Sequence, residues 1–358
     1  MMDRFCEELT TRDVNLKRPS GFLKQVLLLL FFLILKIQLI SAQTFTEAYL
    51  DSVFNQILAN PLANAETIDK MKKISLTHSN SILFKNYRAI GVYYGTINLL
   101  DSAHVYFNKA ISYTVGNSVQ QGIAIKNLAI VCRKRAKFAE AINLLTKAAI
   151  IFQRNKDQTN LASVYMEWAA NYNELENSAF AIKYLLKGMS ILKQMKTPNK
   201  KLLGIAKMSL ADFYMQRNDF RYAKTLMEES LQDLKSSHDF NIQYMAKVAY
   251  GICLVNLGEY KAANIELNEA FKGSLLVKDS AAILTSLSYL GDLSVKTNKP
   301  TLANEFYLRA INIGKLTNSS NCIPVAADYF EYLNSVKNYK LVVHLSHELK
   351  QFIPICER

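Results

Sequence analysis

GEYKAANIELNEAF, at Gly258–Phe271, repeats in outline what RAKFAEAINLLTKAAIIF says at Arg135–Phe152 and NDFRYAKTLMEESL at Asn218–Leu231. Each stretch has an aromatic residue, an Ala three positions later, then a large apolar residue and a second small one. Aligned on the Ala, the copies fall at Ala103, Ala141, Ala181, Ala223, Ala263 and Ala303, with Val342 in the same slot of a weaker seventh. Successive copies are 38 to 42 residues apart. The second small residue lies seven further on, at Ala110, Ala148, Gly188, Ser230, Ala270 and Ala310. Twelve residues before the aligned Ala comes another set, Gly91, Ala129, Ala169, Ala211, Gly251 and Gly291. A large side chain precedes each of these: Ile90, Leu128, Trp168, Leu210, Tyr250 and Leu290.

Both halves of the unit carry apolar residues at spacings of three and four, the mark of a helix with one buried face. Small residues on one helix let the next backbone approach, and the large ones fill the space that remains. Polar turn residues, NLGEY at Asn256–Tyr260 and QRNDF at Gln216–Phe220, separate the two helices. One helix pair cannot cover its own apolar faces, so the pairs must stack. Composition agrees. Half the residues are hydrophobic, which excludes a disordered chain, and 12 Gly and 6 Pro among 358 residues are too few for the turns of an all-β fold.

The pattern resembles the tetratricopeptide repeat over residues 82–320, with aromatic or leucine residues at further slots of that family (Tyr94, Tyr172, Tyr214; Phe107, Leu145, Leu267). The resemblance implies an all-α, right-handed α-α solenoid of stacked antiparallel helix pairs. The family's usual period is about 34 residues, shorter than the spacing here, and the extra residues fall between the end of the second helix and the next first helix. The expected organisation is a leader over 1–42, a divergent helix pair over 43–81, six repeats over 82–320, and a degenerate seventh over 321–358 that caps the stack.

The leader follows from GFLKQVLLLLFFLILKIQLISAQTF, which comes after Lys17 and Arg18. Its uninterrupted apolar core, Val26–Leu35, has signal-peptide length rather than the roughly 20 residues of a spanning helix. Cleavage after Ala42 gives an exported soluble body in the periplasm or cell envelope; an uncleaved segment over 22–40 gives the same body on an N-terminal anchor. The formal charge is +13, and without residues 1–42 it is still +11. Charge of that sign suits nucleic acid, an anionic membrane or an acidic protein alike.

No phosphate-binding glycine loop, nucleophile elbow or zinc-type cysteine spacing is present, so no catalytic residue, cofactor or metal is expected. Cys132 and Cys253 lie on first helices and read as small core or groove-lining residues. Cys322 and Cys356 flank the last helix pair, where in an oxidising compartment a disulfide would staple the cap. The expected working surface is the groove lined by the first helices. In the repeat family this face supplies Lys85, Arg88, Lys126 and Arg133 early, then Met166, Met208, Asp212, Met215, Met245, Val248 and Ile252. A basic start and a methionine-rich middle suit a protein or peptide partner. The carboxylate clamp known in some relatives finds Arg88 and Asn127 in place, but Val92, Ser163 and Glu167 occupy its other slots. An apolar middle also argues against nucleic acid, which remains the alternative, with an anionic membrane surface, on charge alone.

Overall fold

The computed structural model describes residues 46–59, 64–237, 239–317 and 322–356. The leader over 1–42 lies outside them. The chain divides between Ser52 and Val53. The first unit contributes to the described residues only the opening of α1 (Glu47–Ala59), and the second holds all that follows.

After α2 (Ala65–Met71) come seven helix pairs. They are α3 (Asn80–Thr96) with α4 (Leu100–Ser112), α5 (Val119–Lys134) with α6 (Phe138–Arg154), and α7 (Gln158–Glu174) with α8 (Ser178–Gln194). Next are α9 (Lys200–Gln216) with α10 (Phe220–Leu234), α11 (Phe240–Asn256) with α12 (Tyr260–Val277), and α13 (Ser280–Lys296) with α14 (Pro300–Leu316). The last pair is α15 (Cys322–Ser335) with α16 (Tyr339–Cys356). No strand occurs among the described residues. Each pair packs on the next, so the seven form a solenoid of stacked antiparallel helix pairs.

The helices begin and end where the backbone chemistry dictates. Ser79, Ser118, Asp157, Asn199, Asp239 and Asp279 open the first helices of six pairs, each side chain accepting from the amide three residues on. Such a cap contributes about 1 kcal/mol. At the other end of all seven first helices, one residue turns left-handed: Asn98, Ala136, Glu176, Asn218, Gly258, Asn298 and Lys337, with φ between 56° and 77°. The residue after it then donates to the carbonyl five positions back at 2.8–2.9 Å. That bond satisfies an orphan carbonyl and reverses the chain into the second helix. The extra length of the repeat is mostly helix rather than loop. Helices α3, α6, α7, α8, α9, α11, α13 and α14 each run 17 residues. Only Lys278 and Asp279 separate α12 from α13.

The small residues are buried where the chains cross. All six aligned alanines are fully buried, as are Ala110, Ala148, Ser230, Ala270 and Ala310. At Gly251 and Gly291 the approach leaves no room for a methyl group. A Cβ would come 2.6 Å from Leu267 Cδ2 in the first case and 2.9 Å from the Tyr307 ring in the second. Neighbouring first helices also touch directly, α3 with α5, α5 with α7, and α9, α11, α13 and α15 in sequence. They therefore form the tighter, inner side of the stack, and their free stripes face the groove. Among the described residues no helix is long and apolar enough to cross a membrane.

Candidate functional site

On α9, α11, α13 and α15 the groove-facing side chains recur every three or four residues: Asp212, Met215 and Gln216; Ile252, Val255 and Asn256; Tyr289, Asp292, Val295 and Lys296; Asp328, Glu331, Tyr332 and Ser335. Asp212, Ile252, Asp292 and Glu331 hold equivalent positions in successive repeats and form one row. With Phe220 of α10 and Tyr307 of α14 they enclose an open cavity of about 710 Å³. Four carboxylates, one ammonium and three phenols share a wall completed by Gln216, Asn256, Ser335 and apolar side chains.

Asp212, Asp292 and Asp328 hold their protons more tightly than an ordinary carboxyl. Burial raises the Asp292 carboxyl to about 6, aided by the nearby charge of Asp328 and opposed by the Tyr307 hydroxyl and Lys296. The Tyr307 hydroxyl donates a hydrogen bond to Asp292 Oδ1. Its ring stacks on Tyr329 and Tyr332, with centroids 4.9 and 6.1 Å apart, so the donor is fixed by packing. Asp328 is exposed along one side, yet partial desolvation by its neighbours also raises it, against a 3.0 Å hydrogen bond donated by the Ser288 hydroxyl. Asp212 keeps one side open to the groove, yet the surrounding protein lifts its carboxyl to about 6. Desolvation disfavours the charged form of an acid, and in each case that is the dominant cause. The site is thus a set of carboxylates with little positive charge beside them among the described residues, in a hollow lined by aromatic and aliphatic groups. Chemically it suits a cation with apolar flanks.

The other end of the groove is different. Lys126 Nζ donates to Ser163 Oγ at 2.8 Å and to Asn160 Oδ1 at 3.3 Å. Arg133 lies 3.6 Å from Glu167 and 3.4 Å from Glu174. Burial lowers the Lys126 ammonium below its ordinary value and raises Glu167, with Arg133, Lys126 and Lys134 acting against the rise. Glu167 therefore sets a carboxyl inside the basic wall, beside Arg133. Arg88 covers the Phe54 ring at 4.2 Å, and Lys85 is half-buried on the same helix.

Of the residues expected to work in the groove, Asp212, Met215 and Ile252 line the large cavity. Met166 lines a smaller one of about 160 Å³ that Asp212 also borders. Met208 is half-buried against the core, Val248 is buried, and Met245 is 48 % exposed. Sequence reasoning missed Asp328, Glu331, Tyr332 and above all Tyr307, which belongs to a second helix. The available signal was its slot: Phe107, Leu145 and Leu267 fill it elsewhere, so Tyr307 adds a hydroxyl to an otherwise apolar position. The expected Cys322–Cys356 bridge involves a side chain, that of Cys356, outside the described residues.

No family model matches the chain, and neither does any curated protein sequence. Solved structures do match. The apo quorum sensor NprR from B. thuringiensis has a TM-score of 0.62 and 15% identity over 93% of this chain and 95% of its own. A Rap protein complexed with competence and sporulation factor gives 0.61 and 13%, over 85% of this chain and 84% of its own. Cut9 of the APC/C hetero-tetramer Cut9–Hcn1 gives 0.55 and 17%, covering 77% of this chain, which spans about half (47%) of Cut9. At these identities the shared property is architecture. The chain has the fold of a tetratricopeptide-repeat solenoid.

Proposed function

From that fold we propose that the chain is a non-enzymatic scaffold that binds a peptide or protein segment in the groove of its last four repeats. The segment presents a Lys or Arg side chain to Asp292, Asp328 and Asp212. The observation that carries this reading is the cavity of about 710 Å³ in which, among the described residues, Lys296 is the one cation lining a wall of four carboxylates. A bound cation would return Asp292 to its charged form, and Tyr289, Tyr307 and Tyr332 would flank the aliphatic stem. A Rap protein of similar architecture is complexed with competence and sporulation factor, which supports a binding role for a solenoid of this shape. Acidic lining weighs against nucleic acid, whose phosphates would meet four carboxylates.

The test is selection of a random peptide library on the wild-type protein and on Asp292→Asn/Asp328→Asn. Enrichment of Lys- or Arg-containing peptides that the variant fails to retain supports the reading. Peptides without basic residues, or equal retention by the variant, would refute it. The leader sequence over 1–42 supports a location outside the cytoplasm, on a cleaved or an anchored chain. N-terminal sequencing of the protein recovered from cell envelopes distinguishes the two, and recovery from the cytosol alone would overturn both.

A further inference from the structure

At the junction of the first two repeats, His104 of α4, Cys132 of α5 and Glu140 of α6 place one ligand atom each within 4.8 Å of one another. They come from three consecutive helices, and only the packing of those helices unites them. We propose that this triad is a binding site for a divalent transition metal of the zinc type, with water at the fourth position.

The donor set decides the metal. Imidazole, thiolate and carboxylate together match the borderline character of Zn²⁺, whereas Mg²⁺ and Ca²⁺ take oxygen ligands alone. Bonds of about 2.0–2.3 Å to a tetrahedral ion put ligand atoms roughly 3.3–3.8 Å apart. From the present spacing, closure takes about an ångström of side-chain movement. Glu140 can supply it, being exposed in the first turn of α6, while Cys132 is fully buried and fixed. The His104 ring is oriented by Asn108, one turn on, whose amide nitrogen lies 3.2 Å from Nδ1. A ligating imidazole donates its other ring N–H to an acceptor, so on metal binding through Nε2 the Asn108 amide would turn its Oδ1 toward Nδ1.

Without an ion the cluster is held by protons and lysine. Burial and the adjacent Glu140 push the Cys132 thiol up to about 11, with Lys137 and Arg135 opposing. Lys137 reaches Glu140 at 3.7 Å and is half exposed, and Arg135 is engaged by Asp101 at 2.8 Å. Metal entry displaces the thiol proton to solvent, and Lys137 can turn outward into water. Three protein ligands with one open position describe an exchangeable site more than a closed structural one. Its occupation would tie α4, α5 and α6 together and stiffen the start of the stack.

Titration of the reduced full-length chain with Co²⁺, followed through the thiolate-to-cobalt charge-transfer band, tests the site. One equivalent should saturate the band, and Zn²⁺ should displace it. Cys132→Ala should abolish the band, and Ala is an ordinary occupant of such small core slots. His104→Ala, on a partly exposed surface, should fold normally and weaken Zn²⁺ binding by at least about tenfold. A wild-type chain that gives no saturable band overturns the proposal. So does a band that survives Cys132→Ala, which would place the ion elsewhere.

Discussion

Replacing Asp292 by Asn removes a charge that the folded protein resists, and should stabilise it in a pH-dependent way. Folded Asp292 holds its proton up to about pH 6, whereas in the unfolded chain the same group releases it near its ordinary value of about 3.9. Between those two values the folded state binds more protons than the unfolded state, so stability falls as pH rises across the window and levels off above it. The shift is roughly two pH units, and at 1.36 kcal/mol per unit the loss reaches at most about 3 kcal/mol. Asn imitates the protonated acid and can still accept from the Tyr307 hydroxyl. The variant should therefore match wild type at about pH 4 and exceed it by up to about 3 kcal/mol at about pH 7.5. Urea unfolding followed by circular dichroism at both pH values measures the difference. Hydrogen exchange of α13 and α15 amides localises it, because repeat arrays can open in blocks. A gain equal at both pH values, or none at the higher one, would refute the claim that Asp292 is a carboxylate desolvated by its surroundings.

Ala136→Gly and Glu176→Gly should each stabilise by up to about 1 kcal/mol in urea unfolding, since the left-handed residue costs about 1–2 kcal/mol with a side chain and Gly loses roughly half of that gain in unfolded-state entropy. Gly291→Ala should cost about 1–3 kcal/mol by overpacking, because its methyl group meets the Tyr307 ring. That variant should also weaken peptide capture, as Tyr307 leaves Asp292. Lys207 is nearly buried and pairs with Asp233 at 2.7 Å and Glu229 at 2.9 Å. Lys207→Ala should cost roughly 3 kcal/mol by stranding Asp233, and Lys207→Met with Asp233→Leu should recover most of it; an unchanged unfolding midpoint in the single variant would contradict the pairing.

The repeat was legible in the sequence because its determinants are local and recur. A small residue at Ala141 and another at Ala148 occupy one helix face at two-turn spacing, and the same demand returns wherever two helices cross. The Ser, Asp and Asn caps can be read in the same way, being contacts within four residues. The left-handed turns were harder to read, since Asn, Ala, Glu, Gly and Lys all fill the position and only the backbone geometry unites them. Groove positions such as Asp212 and Ile252 could be placed from the family pattern, but their chemistry could not. Whether a carboxylate is solvated or desolvated depends on the side chains of three or four other repeats.

Alone, then, the sequence determined the architecture: helix pairs that must stack, because each exposes an apolar face which only its neighbour can cover. The tertiary structure decided the electrostatics. It turned Glu167 into an internal partner for Arg133 and gathered Asp212, Asp292 and Asp328 around one hollow. It also brought His104 to Cys132 and Glu140. Packing signals act over a few residues and repeat, while the energy of a charge depends on every group and water molecule within several ångströms, most of them distant in the chain.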